Sequence, residues 1–199
     1  MFLFLQLVQV IKGNRTLTQT SAVPFWQSKT LAQMSESEWE SLCDGCGKCC
    51  LHKFIDDAED EEVVDDNISD EELALLQHAP TDFIREGEVL LYTNIVCHLL
   101  NDKTCNCSKY AERTKYVPDC VKLTQENLDD IFFMPESCTY RRLHEGRGVP
   151  SWHPLLNKGK KSAMHKAGMS VRGKVVKDNQ VDTNDYENHI VTWPEADID

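Results

Sequence analysis

The chain has 199 residues, nine of them cysteine, and a formal net charge of −12, with 41% hydrophobic and 27% charged residues. That balance excludes both a membrane-built chain and one too polar to fold, and the length suits one domain with tails. Eleven Asp or Glu residues fall between Asp56 and Glu72 without a Lys or Arg, and removing them leaves −1, so no basic domain remains to grip nucleic-acid phosphates.

Residues 1–23 read as an N-terminal extension or a misassigned start. Met1 to Ile11 is apolar, but the basic Lys12 and Arg15 follow it, the reverse of a secretory signal. Eleven residues are also too short to cross about 30 Å of hydrocarbon as a helix. The expectation is a cytoplasmic chain with no membrane and no nucleic-acid partner; a protein partner is left open. Ser35-Glu36-Ser37-Glu38 is a capping box that predicts a short helix through Trp39 and Leu42, ending at the first cysteines. Cys43 to Cys50 is a loop, tightened by Gly45 and Gly47. An acidic insertion follows at about 56–86, with a second capping box at Ser69–Glu72 and a short helix to Gln77.

Glu88 to Ile95 is rich in β-branched and aromatic residues and predicts a strand. A turn with Asn101-Asp102 lies between Cys97 and the pair Cys105 and Cys107. Helices are expected at Cys107–Tyr116, at Thr124–Phe133 as an amphipathic element, and at Cys138–Glu145 before Gly146. Trp152-His153-Pro154 is an irregular hinge, and strands are expected at Ser170–Lys177 and His189–Trp193. Lys158-Gly159-Lys160-Lys161 and Arg141-Arg142 read as solvated charges. The sum is a small, irregular α+β fold of short helices and a few strands, organised around the cysteines over residues 24–195.

In a reducing compartment clustered thiols are metal or redox sites rather than disulfides, and an odd count suits ligands plus a spare. Cys43-x-x-Cys46-x-x-Cys49-Cys50 lets successive thiolates converge across a tight turn, a spacing common to zinc and iron–sulfur sites. Thiolates suit zinc, copper(I) and iron–sulfur centres and not magnesium or calcium. Cys43, Cys46, Cys49 and Cys50 form the primary ligand set, Cys97, Cys107, Cys120 and Cys138 its partners, and Cys105 the spare. His52, His98 and His153 are secondary ligands. Tyr110, Arg113 and Asp119 are candidates to lie behind the ligands and tune them.

The run Cys43-Asp44-Gly45-Cys46-Gly47-Lys48-Cys49-Cys50 resembles the signature of the CxxCxxCC family of zinc- or iron-chelating proteins. Pro24-Phe25-Trp26, Tyr92-Thr93-Asn94, Cys105-Asn106-Cys107, Pro118-Asp119-Cys120, Cys138-x-Tyr140-Arg141, Trp152-His153-Pro154-Leu155 and Ser170-Val171-Arg172 resemble its YcgN-like bacterial branch. The resemblance covers roughly residues 24–195 and implies metal chelation without a defined activity. Two features depart from that branch: the Met1–Ala22 extension, and a longer acidic link between Lys53 and Glu88. Zinc and an iron–sulfur cluster stay level as the cofactor. The functions weighed are a metal-chelating binding protein, a redox carrier or sensor using an iron–sulfur cluster, and a cysteine-dependent enzyme. No Cys/His/Asn arrangement, phosphate loop, nucleophile elbow or His-Glu-x-x-His helix supports the last.

Overall fold

The structure, a computed structural model, describes residues 23–57 and 88–199. The expected N-terminal extension up to Ala22, and the acidic insertion from residue 58 onward with its capping box and helix, lie outside the described residues.

Short elements follow from sequence-local chemistry. Helix α1 is Phe25–Ser28 and helix α2 is Glu36–Ser41. Ser35 opens α2 as the capping box predicts: the Glu38 backbone N–H donates to Ser35 Oγ at 3.3 Å, and the Ser35 N–H donates to Glu38 Oε2 at 2.8 Å. The helix turns Trp39 into a core with Met34, Leu42, Leu128, Ile131, Met134 and Tyr140. The Tyr140 hydroxyl donates to the Trp39 carbonyl at 2.9 Å, and the rings meet with centroids 4.8 Å apart. This core lies against the first cysteine loop, because Leu42 is the last residue before Cys43.

Strand β1, Leu51–Asp57, pairs antiparallel with β2, Glu88–Val96, from Leu51 opposite Val96 to Asp57 opposite Glu88, with a bulge between Leu51 and Lys53. A two-stranded ribbon follows, β3 at Leu100–Asn101 and β4 at Asn106–Cys107. Strand β5, Val176–Lys177, joins β2 in parallel, and β6, Ile190–Val191, joins it antiparallel. The expected β2 is therefore present, and the expected strand near His189 appears as β6. The observed architecture is the small, irregular α+β fold expected.

Four readings change. The chain from Leu51 to Asp57, given no element in the sequence up to the insertion at about 56, is a strand; His52, Lys53, Asp56 and Asp57 had hidden its hydrophobic signal. Thr124–Phe133 is not an α-helix but 3₁₀ turns over Gln125–Asp130, broken at Asn127. Asn127 Oδ1 accepts from the Thr124 N–H at 2.8 Å and its Nδ2 donates to the Lys122 carbonyl at 3.0 Å, a local alternative to helical bonding. Of Ser170–Lys177 only Val176–Lys177 is extended in the sheet, because the Val171 N–H is committed to the Cys46 carbonyl at 3.0 Å. The region Cys107–Tyr116 divides into a 3₁₀ turn, Tyr110–Glu112, and helix α3, Arg113–Tyr116. Helix α4, Thr139–His144, fits the reading, whereas α5, Ser162–Lys166, was not expected. Among the described residues no helix is long and apolar enough to cross a membrane.

Candidate metal centre

The first cysteine loop is shaped by two backbone positions that only glycine takes without strain. Gly45 has φ +67° and Gly47 φ +80°. A Cβ on Gly47 would sit 2.8 Å from Val171 Cγ2, and one on Gly45 would collide with the Lys161 side chain. Lys161 is no free surface charge, since its Nζ donates to Asn106 Oδ1 at 2.8 Å and reaches the Gly45 carbonyl at 3.4 Å. The neighbouring strap therefore passes directly over the loop. The loop ends in a 3₁₀ turn, Lys48–Cys50, and runs straight into β1.

More distant cysteines arrive by tertiary bonds. The Cys97 N–H donates to the Cys50 carbonyl at 3.0 Å where β2 leaves the sheet. Cys107 lies on β4, Cys120 follows the turn after α3, and Cys138 precedes α4. All nine cysteines line a single cavity of about 690 Å³. The structure thus brings together Cys43, Cys46, Cys49, Cys50, Cys97, Cys107, Cys120 and Cys138, with Cys105 beside them. None is in a disulfide. Cys43 and Cys49 are exposed, but their exposed surface faces this cavity, where charge is poorly solvated.

The thiols are linked by mutual electrostatics, with Cys49 common to most of them: its charge acts on Cys43, Cys46 and Cys138 and also on Cys50 and Cys120. Cys50 feels Cys97 and Cys120, and both of these feel Cys107. Cys105 instead answers to Lys161, Ser170 and Arg172. Burial pushes the Cys43 and Cys46 thiols well up, and the adjacent Asp44 carboxylate adds to it. Burial likewise raises Cys138 to about 12. The Cys49 and Cys50 Sγ atoms lie 3.9 Å apart, and the hydrogen bond from Cys50 brings Cys49 down to about 7 while Cys50 rises.

Two residues unremarked in the sequence stand at this site. Asp44 is 5% exposed; its Oδ1 accepts from the Cys46 N–H at 2.8 Å, while its Oδ2 is buried without a hydrogen-bond partner. Lys53 sends Nζ back to the Leu51 carbonyl at 2.8 Å and the Cys49 carbonyl at 3.3 Å. Burial lowers the Lys53 ammonium pKa, and the neighbouring thiols Cys49 and Cys50 oppose that. An orphaned carboxylate oxygen beside buried thiols is unfavourable without a cation. The donor set and this oxygen together fit a bound metal centre. The only local signals for these residues were an Asp between two cysteines and a Lys three residues past Cys50.

The other expected residues separate. Tyr110, Arg113 and Asp119 line the cavity. Arg113 stacks on the Tyr110 ring at 4.2 Å, and the Tyr110 hydroxyl donates to Glu40 Oε2 at 2.7 Å. Burial raises Cys120, and Arg113 works against that rise. His52 lines the cavity, whereas His98 does not line it and pairs with the lining residue Asp178. His153 is a structural residue: it is fully buried, with Nε2 on the Leu42 carbonyl at 3.1 Å and Nδ1 accepting from the Leu155 N–H at 3.0 Å. Both ring nitrogens are therefore committed to protein.

Fold and site together define a cysteine-rich chain built around one thiol-lined cavity. Residues 42–139 match the model of the CxxCxxCC family, described as "Putative zinc- or iron-chelating domain". The chain belongs to that family, and its curated relatives carry the name UPF0260 protein. That of Shewanella denitrificans is 49% identical over 175 residues, covering 88% of this chain and 99% of the relative. The Shewanella oneidensis protein is 48% identical over the same shares of both chains, and that of Vibrio atlanticus 45% identical over 86% and 97%. No solved structure matches the chain.

Proposed function

We propose that the chain carries an iron–sulfur centre and works as a one-electron carrier or redox sensor. The spread of the thiols carries this reading. Four thiolates around one zinc at Zn–S distances of about 2.3 Å stand about 3.8 Å apart and leave no void between them. Among the described residues the sole group of three metal-ligating atoms within 4.8 Å of one another is Cys97 with His98 and Asp178, not a set of cysteines. The thiols instead ring a cavity of about 690 Å³. An iron–sulfur cluster places its own iron and sulfide atoms between its thiolates and so needs them farther apart than one ion does.

Cys43, Cys46, Cys49 and Cys138 make one four-thiolate set in this reading, and Cys50, Cys97, Cys107 and Cys120 a second. When bound, a cluster supplies one-electron chemistry. The protein's part is to hold the thiolates deprotonated, exclude water and set the surrounding charge, with Lys53 and Arg113 offsetting the negative charge of the thiolates. Such a centre belongs in a reducing cytoplasm. Anaerobic purification tests the proposal. A brown protein with iron and acid-labile sulfide supports it; a colourless protein with one or two zinc ions per chain overturns it in favour of a structural zinc site.

A further inference from the structure

At the cavity mouth one carboxylate is shared by two imidazoles and approached by a thiol. Asp178 follows β5, and the parallel pairing of Ile95 with Val176 and Val96 with Lys177 carries it next to Cys97 and His98. The His98 backbone N–H donates to Asp178 Oδ1 at 3.0 Å, and its Nδ1 stands 3.1 Å and 3.2 Å from the two carboxylate oxygens. From the other side His52 Nε2 comes within 3.5 Å of Asp178 Oδ2. His52 lies in the β1 bulge, a device that re-aims a side chain. Its ring is met edge-on by Tyr186 at 5.2 Å.

We propose that His52, His98 and Asp178 with Cys97 form a site for one borderline divalent cation, ferrous iron or zinc, at the mouth of the thiol cavity, from which metal passes inward. Imidazole, carboxylate and one thiolate are donors that such a cation accepts together. The imidazoles are 39% and 41% exposed, so an ion reaches them from solvent, and His52, Asp178 and Cys97 line the same cavity as the other thiols. Cys97 connects the two places, because it stands with His98 and Asp178 and lines the same cavity as Cys107 and Cys120. An ion held on Cys97 exchanges its nitrogen and carboxylate ligands for further thiolates without first returning to water. This inward passage rests on the proposed thiol centre; the mouth site itself does not.

The test uses the full chain, stripped of metal and reduced under anaerobic conditions. Zinc is titrated in while the side-chain nitrogens of His52 and His98 are followed by NMR. At saturation both imidazoles shift, and D178N, which keeps an acceptor for the His98 N–H, weakens that response at least tenfold; H98A does the same from a half-exposed position. Absence of a shift, or a D178N protein that responds like the original, overturns the site. Rapid mixing with cobalt(II) then reads thiolate-to-metal charge transfer. D178N and H98A slow its appearance at least tenfold and leave its final amplitude unchanged; unchanged rates overturn the inward passage. Imidazole shifts with a band no stronger than the single Cys97 thiolate gives leave the mouth site standing and refute the thiol centre, whereas a multi-thiolate band without imidazole shifts does the reverse.

Discussion

The Lys48 ammonium donates to Ser137 Oγ at 2.9 Å and thereby joins the loop that carries Cys46 and Cys49 to the turn that delivers Cys138. Lys48 is fully buried, and its Nζ also donates to the Pro194 carbonyl at 3.0 Å and the Ala196 carbonyl at 3.4 Å. A distant cysteine thus reaches the first cluster through a lysine inside the cluster's own motif. Burial lowers the Lys48 pKa, and the nearby Cys46 and Asp44 oppose that shift.

Replacing Lys48 by Met keeps the volume and strands these acceptors. Each buried unsatisfied group costs about 1–3 kcal/mol. K48M is expected to lower the chemical-denaturation midpoint by an amount in that range and to reduce bound metal, because Cys138 is no longer held in place. A variant with unchanged stability and unchanged metal content would show the tie to be dispensable.

The C-terminal residues close over the same lysine. Asp197 Oδ2 accepts from Arg142 Nη1 at 2.5 Å and from Arg147 Nη1 at 2.6 Å, with Arg142 nearly buried. Deleting residues 193–199 removes this bridge and two of the Lys48 acceptors together. A double-mutant cycle between the deletion and K48M is therefore expected to be non-additive by more than about 0.5 kcal/mol. Additive losses would mean that the tail and Lys48 act independently.

What the sequence disclosed was local. A capping box announced α2 because its hydrogen bonds span three residues, and β2 announced itself by composition. Strand β1 did not, since its pairing with β2 supplies what its charged residues conceal. The site divides in the same way. Cysteines are recognisable one by one, and the motif pointed to the family that the chain belongs to. Asp178 was invisible as a partner of His98, eighty residues away in sequence, because only the parallel β5 pairing unites them. Lys53 and Asp44 were legible as residues but not as neighbours of a cavity.

Cys105 stands apart from the mutually interacting thiols. Its surroundings are Ser170, Arg172 and Lys161, and its own backbone has φ +55°. C105S is expected to retain its metal complement, whereas C49S, at the meeting point of Cys43, Cys46 and Cys138, loses most of it. Metal analysis of the two purified proteins decides the matter. Equal losses would place Cys105 among the ligands.

His153 gives the fold a pH dependence of definite sign. Burial holds its imidazole below the ordinary 6.5, although acceptance of its Nε2–H by the Leu42 carbonyl and the charge of Asp44 act in the opposite direction. The unfolded chain, with a His pKa of about 6.5, takes up a proton before the folded chain does. Its contribution to stability is therefore complete above about pH 6.5 and is lost as pH falls from there towards the folded value. Denaturation midpoints measured between pH 7.5 and 5.5 are expected to fall for the natural chain. H153Q, in which the amide still donates to Leu42 but nothing titrates, starts lower by about 1 kcal/mol through loss of the bond to Leu155. Its midpoint then declines less steeply over the same range, and parallel declines for the two proteins would remove His153 as the source of the dependence.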